Sequence, residues 1–539
     1  MSNLERAQSL GESPITLQIV EPTPKKELGF REKTDLLIYS RKEQLKDTKV
    51  KLIDPYWSSG EIGPHIGLAN LASILEVNGV DVSVSEFCNE DAGKCIYVSD
   101  FQKYEQEFID RVSSESADSQ LIGITCSHEN YSRALAVADG CRKANPQALI
   151  VLGGSFINML DKNGTLRFSP FQDSESIDAV VYGEGEKIIL PLCQASQKRE
   201  LLGKIPGISF RENKNELKRN PPDILTRHEL FQLPPINWDK FQWNDNRFFH
   251  LVGARGCPLS CSFCFESVVW EGVYRPLEKD KIYQDILSAY NKGLRKFTVE
   301  DSIFLLYPGL KELCESISKD ELDVSWFVWG TARDIVRYPG KLDRLSKAGC
   351  QSVIFGVESA SERTNKLTQR VEKVNSNLAV QATETLHKHN MLAQGTFIAG
   401  LPWESLDDIE ATFDYGLNLD LDFHRWHIYM PAWWGNGKSE VSDSNRSIFQ
   451  DWKKVALNVP NATLPDILPE SPIYAWCDEH TLVRLLTIPN SDKLQGRMEE
   501  IVLGQHHLSE IFDRMLTKLK GTGKVWDEGE LYKEILNKK

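Results

Sequence analysis

The chain has 539 residues, 41% of them hydrophobic and 26% charged, and 63 Lys and Arg against 77 Asp and Glu leave a net charge of −14. That composition is ordinary for a soluble globular protein, and the length suggests three or so domains of about 150 residues each. An acidic balance with no long basic run argues against nucleic acid as the main partner, because phosphate binding needs a basic surface. No run of about 18 apolar residues appears, so no membrane span is expected. Residues Met1 to Ser13 lack an apolar signal core. The 11 cysteines are scattered apart from one triplet, which predicts a reducing, cytoplasmic setting.

Residues 1–48 are mixed and charged and are expected to form a peripheral arm. Residues 49–210 then alternate strands with helices. The strands are predicted at Val50–Asp54, Val80–Val84, Leu121–Cys126, Ala148–Leu152 and Ala179–Tyr182. Helices are predicted from about Ile66 to Asn78-Gly79 and from Tyr131 to Ala144, the second ending before Pro146. This alternation predicts an α/β domain with a doubly wound parallel sheet. Ligands of such sheets bind outside the carboxyl ends of the strands. Those ends carry Pro55-Tyr56, Thr125-Cys126-Ser127-His128, Gly153-Gly154-Ser155 and Gly183-Glu184-Gly185-Glu186. The glycines allow close backbone approach to a large flat ligand, or serve only as tight turns. A dinucleotide fingerprint is disfavoured, since Ile188 stands where its third glycine belongs.

Pro221-Pro222 and Pro234-Pro235 mark residues 211–243 as a linker. A second alternating series covers residues 244–435. Its strands are predicted at Phe249–Ala254, Lys296–Val299, Ser325–Gly330, Ser352–Val357, Gly395–Ala399 and Trp426–Met430, with helices near 277–291, 308–319, 338–348, 374–389 and 405–418. Six such repeats fall short of the eight of a closed barrel. In the loop after the first strand, Arg255-Gly256-Cys257-Pro258-Leu259-Ser260-Cys261-Ser262-Phe263-Cys264 places three cysteines at C-x3-C-x2-C spacing. Three thiolates in one loop can hold an iron–sulfur cluster and leave one iron open. The alternatives are a zinc knuckle or three buried thiols. Zinc wants a fourth ligand nearby, and the next histidine is His387. Residues 436–539 carry helical runs and tryptophans but no motif.

The cysteine spacing, with Phe263 before the third cysteine, resembles the radical S-adenosylmethionine (radical SAM) superfamily. The upstream pieces Pro64-His65-Ile66-Gly67-Leu68-Ala69-Asn70-Leu71, Leu152-Gly153-Gly154, Val181-Tyr182-Gly183-Glu184-Gly185-Glu186 and Ile205-Pro206-Gly207-Ile208-Ser209 resemble the cobalamin-binding domain of its B12-dependent members. The resemblance runs from about Val50 to Pro431. It implies a cobalamin-binding sheet domain, a partial six-fold barrel with a 4Fe–4S cluster, and a mainly helical C-terminal region.

On the same resemblance, Cys257, Cys261 and Cys264 hold the cluster at the catalytic centre. The SAM contacts are Phe263, Glu300, Asp301, Arg333, Glu358, Ser359, Gly395, Ile398, Gly400 and Tyr429. The cobalamin contacts are Pro55, Tyr56, Thr125, Ser127, His128, Gly153, Gly154, Ser155, Gly183, Glu184, Gly185 and Glu186. The D-x-H-x-x-G pattern of histidine-ligating cobalamin proteins is missing after Asp54, so cobalamin is expected without a histidine lower ligand. His65 and His128 are expected in ordinary surface roles. The implied activity is transfer of a methyl group from methylcobalamin to an unactivated carbon of a small molecule, lipid or peptide. The alternatives are a sibling cyclisation or rearrangement, or a radical SAM enzyme without functional cobalamin. A reductant such as flavodoxin or ferredoxin is the implied partner.

Overall fold

In a computed structural model of the chain, the described residues run from 45 to 428, apart from 59–63, 89–97, 128–129, 163–168, 214–215, 244–247, 260, 262–263, 265, 267–268, 271, 368–375 and 400–405. The arm 1–48, except for its last residues, and the C-terminal region 436–539 lie outside them, as do Phe263, His128, Gly400 and Tyr429.

The first sheet contains β1 (Lys49–Ser58), β2 (Asp81–Cys88), β3 (Leu121–Thr125), β4 (Leu149–Gly153), β5 (Ala179–Val181), β6 (Ile208–Asn213) and β7 (Glu216–Arg219). Its order is β2-β1-β3-β4-β5-β6-β7, with β1 to β5 parallel and β5-β6 and β6-β7 antiparallel. Side chains of a strand alternate between faces, and the strands use both faces apolarly. Val50, Leu52, Leu121, Leu149, Val151 and Ala179 share one core with helices Ile66–Val77 and Ile189–Gln197. Ile53, Ile122, Ile124, Ile150, Leu152 and Val180 share another with helices Val98–Glu115 and Tyr131–Ala144. Burial on both faces is why these strands read as near-continuous apolar runs.

The hairpin β6-β7 extends the first sheet to Arg219, past the boundary at 210 that composition suggested. The rest of the expected linker is packed rather than loose. Asn237 N donates to Ser73 Oγ at 2.8 Å, Ile236 N donates to Asp285 Oδ1 at 3.0 Å, and Trp238 is fully buried. Helix Ile66–Val77 of the first sheet is thereby joined to helix Lys279–Asn291 of the second.

The second sheet contains β8 (Phe249–Leu251), β11 (Lys296–Val299), β12 (Ser325–Thr331), β13 (Cys350–Glu358), β14 (Leu392–Ala399) and β15 (Phe423–Ile428). All pairings are parallel and each strand lies beside its neighbour in the chain, with β8 and β15 at the two edges. The six predicted strands are all present, the last beginning three residues earlier than expected. Helices Leu310–Lys319, Pro339–Lys347, Ser376–Lys388 and Leu406–Asn418 fill the crossovers. A short antiparallel pair, β9 (Ala254–Arg255) with β10 (Arg275–Pro276), brackets the cysteine loop. One apolar core runs through both domains, taking in Leu75 and Leu190 as well as Phe249, Phe297 and Val353.

Candidate functional site

The cysteine loop is set by backbone geometry before any ligand is considered. Gly256 has φ +83°, and a Cβ there would stand 2.0 Å from the Val273 carbonyl, so only glycine fits the entry to the loop. Cys257 is buried beside Ala254, Tyr274 and Ile303, while Cys261 and Cys264 are half-buried. Cys264 N donates to the Cys261 carbonyl at 3.1 Å, which tightens the end of the motif. Burial pushes the Cys257 thiol up to about 12, with smaller contributions from Cys264, Cys261 and Glu266. A thiol in that setting ionises only with positive charge beside it, which bound iron supplies. Among the described residues no three His, Cys, Asp or Glu side chains converge closely enough for a single metal ion. Three thiols carried on one short loop are a donor set that fits an iron–sulfur cluster with one iron left open.

The loop is braced from β11. Asp301, just past that strand, is buried, and its Oδ1 accepts from Gly253 N at 2.8 Å. Its Oδ2 and the nearby Tyr274 hydroxyl are buried without hydrogen-bond partners. Burial pushes the Asp301 carboxyl up to about 7, against the pull of the Gly253 and Ala254 amides. Glu300, one residue earlier, is open to solvent and pairs with His250 Nδ1 at 2.9 Å.

Further round the strand ends, Arg333 follows β12 and is half-buried. Asp334 beside it answers the helix cap Thr331: Thr331 Oγ1 donates to Asp334 Oδ2 at 2.7 Å, and Asp334 N donates to Thr331 Oγ1 at 3.1 Å. Glu358 ends β13 at φ +63°, a left-handed conformation rare for a residue with a side chain. Such strain collects at functional sites. Ser359 packs inward, its Oγ 3.0 Å from Thr412 Oγ1. Gly395 lies within β14, where a Cβ would meet Leu421 at 2.5 Å, so its glycine answers to packing. Ile398 is buried near the end of that strand.

At the first sheet the strand order reverses between β1 and β3, the position where doubly wound sheets hold ligands. Pro55 is buried, and its carbonyl accepts from Arg133 Nη1 at 2.7 Å. Tyr56 continues β1, and its side chain is outside the described set. Thr125 ends β3, with Oγ1 3.4 Å from His65 Nε2. Ser127 and Asn130 bond each other's backbone and side chain, opening helix Tyr131–Ala144.

Gly153 ends β4. Gly154 follows at φ +107°, where a Cβ would stand 2.7 Å from the Cys126 carbonyl. Ser155 is exposed and opens helix Ser155–Lys162. Gly183 follows β5 at φ +92° with open space where a Cβ would be. Its amide donates to Asn158 Oδ1 at 2.5 Å, and Asn158 Nδ2 donates back to the Gly183 carbonyl at 3.4 Å. A left-handed glycine facing open space, with its peptide clamped, is a cradle that backbone rather than side chains would offer to a broad ligand.

Gly185 packs on Leu71 instead. Glu184 and Glu186 face the barrel. Arg255 Nη1 donates to Glu184 Oε1 at 2.5 Å, and Arg255 Nη2 donates to Glu186 Oε1. Arg275 gives Glu184 two more bonds, at 2.9 and 3.0 Å. Burial alone would raise the Glu184 carboxyl, but Arg255 and Arg275 hold it below the usual range.

His65 marks where the two mouths adjoin. Its Nδ1 accepts from Leu68 N at 3.3 Å, capping helix Ile66–Val77. That leaves Nε2 as the protonated nitrogen, facing Thr125. The residue keeps an exposed edge while surrounding protein crowds the ring, and that desolvation together with the His250 charge lowers it to about 4. Both ring nitrogens are thus engaged at ordinary pH. Three residues outside the expected set also shape the site: Asn158 clamps Gly183, Arg133 holds the Pro55 carbonyl, and Arg275 completes the contact with Glu184.

A three-cysteine loop thus follows the first strand of an open six-stranded parallel sheet. Residues 251–416 match the family described as the Radical SAM superfamily. An uncharacterized methyltransferase of Pyrococcus horikoshii is 28% identical over 399 residues, covering 72% of this chain and 82% of its own. The anaerobic magnesium-protoporphyrin IX monomethyl ester cyclase of Rubrivivax gelatinosus is 24% identical over 403 residues, covering 71% and 68%. Among solved structures, the radical SAM methyltransferase TsrM from Kitasatospora setae, with cobalamin and a [4Fe-4S] cluster bound, shares the fold at TM-score 0.56 and 18% identity, covering 70% of this chain and 74% of that one.

Proposed function

We propose that this chain is a cobalamin-dependent radical SAM methyltransferase that places a methyl group on an unactivated carbon of a small-molecule, lipid or peptide substrate. The observation that carries the reading is the meeting of two unlike mouths. A glycine-lined switch point lies beside a three-cysteine loop, joined through Glu184 and Glu186 to Arg255 and Arg275. When bound, the cluster with SAM supplies a radical able to remove hydrogen from carbon, and cobalamin supplies the methyl group.

The chain's own residues bind and orient these groups. Cys257, Cys261 and Cys264 would hold the cluster, and Asp301 fixes the start of their loop through the Gly253 amide. Glu300, Arg333 and Glu358 would present charge to the amino and carboxylate groups of SAM, and Phe263, Ser359, Gly395, Ile398, Gly400 and Tyr429 would complete its contacts. The backbone of Gly153, Gly154 and Gly183 would hold the corrin, and Pro55, Tyr56, Thr125, Ser127, His128 and Ser155 would add contacts to it. Glu184 and Glu186 act from behind that loop, through Arg255. His65 caps its helix through Nδ1, and cobalamin would be held without a histidine ligand. The half-exposed Cys261 and Cys264 offer an electron entry for a flavodoxin or ferredoxin. No described helix is long and apolar enough to cross a membrane, and a cytoplasmic setting suits the free thiols.

A cyclase is the second reading, favoured by the likeness to the ester cyclase. Both are tested by loading the iron-reconstituted protein with cob(II)alamin, recording its EPR spectrum, then reducing it in the presence of CD3-labelled SAM. A bound, base-off signal without nitrogen splitting is expected, followed by CD3 on the bound cobalamin and release of S-adenosylhomocysteine. Bound cobalamin that never acquires the label would favour the cyclase. A spectrum identical to free cobalamin would leave a radical SAM enzyme without functional cobalamin.

A further inference from the structure

We infer that Glu184, Glu186, Arg255 and Arg275 form a clasp through which occupancy of the first sheet's mouth positions the cysteine loop for SAM. The inference rests on the cobalamin reading above and assigns these four as positioning residues, not ligands. Two carboxylates and two guanidinium groups, all little exposed, balance in charge inside the contact between the domains. Arg255 and Arg275 stand directly opposite each other across β9 and β10. Like charges so placed repel, and Glu184 between them removes the repulsion by bonding both. Glu184 Oε2 also accepts from Leu225 N at 2.6 Å, while Arg275 Nη1 donates to the Leu225 carbonyl at 2.6 Å. The clasp therefore fixes a third segment, the connection between the domains.

The chain on either side of the clasp leaves little slack. On one side, Glu184 is bonded covalently to Gly183, the left-handed residue that faces open space. A ligand pressing on the Gly183 peptide moves the Glu184 and Glu186 carboxylates with it. On the other side, Arg255 lies two residues before Cys257, separated only by Gly256, which is wedged against the Val273 carbonyl and Trp270. A shift of the guanidinium is carried into the cysteine loop rather than absorbed. A buried ion network is a poor device for stability alone, because apolar side chains fill such a space at lower desolvation cost. Two planar forks that dictate direction suit the setting of register between two domains.

The test measures SAM affinity of the iron-loaded full-length protein with and without hydroxocobalamin, reading bound cobalamin separately by its absorbance. In the wild type, cobalamin should tighten SAM binding about tenfold, a coupling of ordinary allosteric size. Glu186→Gln removes one side of the Arg255 fork while Glu184 keeps Arg275. It should keep its iron and its cobalamin, and lose most of the tightening. Arg255→Lys keeps the charge without the fork and should behave alike, with the EPR signal of the reduced cluster no longer changing when cobalamin binds. If both variants bind cobalamin and tighten SAM as the wild type does, the clasp transmits nothing. Wild-type protein that binds cobalamin with no change in SAM affinity also overturns the clasp and leaves the cofactor reading standing. Absence of bound cobalamin in the wild type sinks that reading and the clasp with it.

Discussion

The two sheets meet through Glu184, Glu186, Arg255 and Arg275 near their strand ends but furnish those ends differently. The first mouth is built from backbone: left-handed Gly154 and Gly183, a clamped peptide, and hydroxyls at Thr125 and Ser127 that already serve local turns or His65. Its two glutamates point away and are neutralised by arginines. The second mouth is built from ionisable side chains, namely three thiols, Glu300, Asp301, Arg333 and Glu358, and its strained residue is a glutamate. Both follow the rule that parallel sheets bind at the carboxyl ends of strands. The contrast shows how one rule serves two tasks. Broad contact with a large cofactor asks for bare peptide, whereas holding iron and a zwitterion asks for charge.

The largest blow to this contrast comes from Cys257→Ala. Iron should fall below cluster stoichiometry and deoxyadenosine formation should drop to background, while cobalamin still binds to the first mouth. Retained SAM cleavage would remove the cysteine loop from the chemistry.

The next test sets a titrating group in one mouth against one in the other. Asp301 ionises near 7 when folded, against an ordinary value of 3.8. The native state holds that proton more tightly, so this group favours folding at low pH and loses its contribution as pH rises through about 7. The full swing is on the order of 4 kcal/mol. His65 is shifted the other way, to about 4 from 6.5. Its contribution is present above about 6.5 and is lost as pH falls toward 4. Chemical unfolding of the iron-free protein between pH 4 and 8 should show Asp301→Asn losing stability less steeply with rising pH than wild type. His65→Asn, which can still cap the helix, should lose less on acidification. Parallel changes in the two variants would mean that the mouths are not electrostatically distinct.

Much of this was legible in the sequence, and the failures have physical causes. The cysteine spacing and the six repeats are local patterns, and they reappear at Cys257–Cys264 and in β8 to β15. The amphipathic helix Val98–Glu115 was passed over because its charged residues hide its buried face, Phe108, Ile109 and Val112. Pro221-Pro222 suggested a loose linker, but Asn220 and Pro221 carry backbone bonds to β6 and Gly207. Glu184 and Glu186 sit among glycines that line a ligand site, and nothing nearby in sequence shows that Arg255, 71 residues on, takes up Glu184. Strand order is likewise nonlocal, so the reversal between β1 and β3 emerged only from the fold. Gly154 and Gly183 looked alike in sequence, and their surroundings separate them.

That separation gives the smallest and most pointed prediction. Both glycines have left-handed backbones, which cost any other L-residue roughly 1–2 kcal/mol. At Gly154 a methyl group also meets the Cys126 backbone at 2.7 and 2.8 Å. Gly154→Ala should therefore cost about 3 kcal/mol in all, once the clash is added to the strain. At Gly183 nothing lies within 4 Å, so Gly183→Ala should cost only about 1 kcal/mol. Its effect should appear in binding, because the methyl group would project into the open space that we propose for the corrin. Thermal unfolding without ligand should rank wild type, Gly183→Ala, Gly154→Ala in falling order. Cobalamin titration should find Gly183→Ala weakened well beyond its small loss of stability. If cobalamin bound Gly183→Ala as tightly as wild type, the open space at that glycine would not be where the cofactor lies, and the backbone-built mouth would have to be sought along β1 and β3.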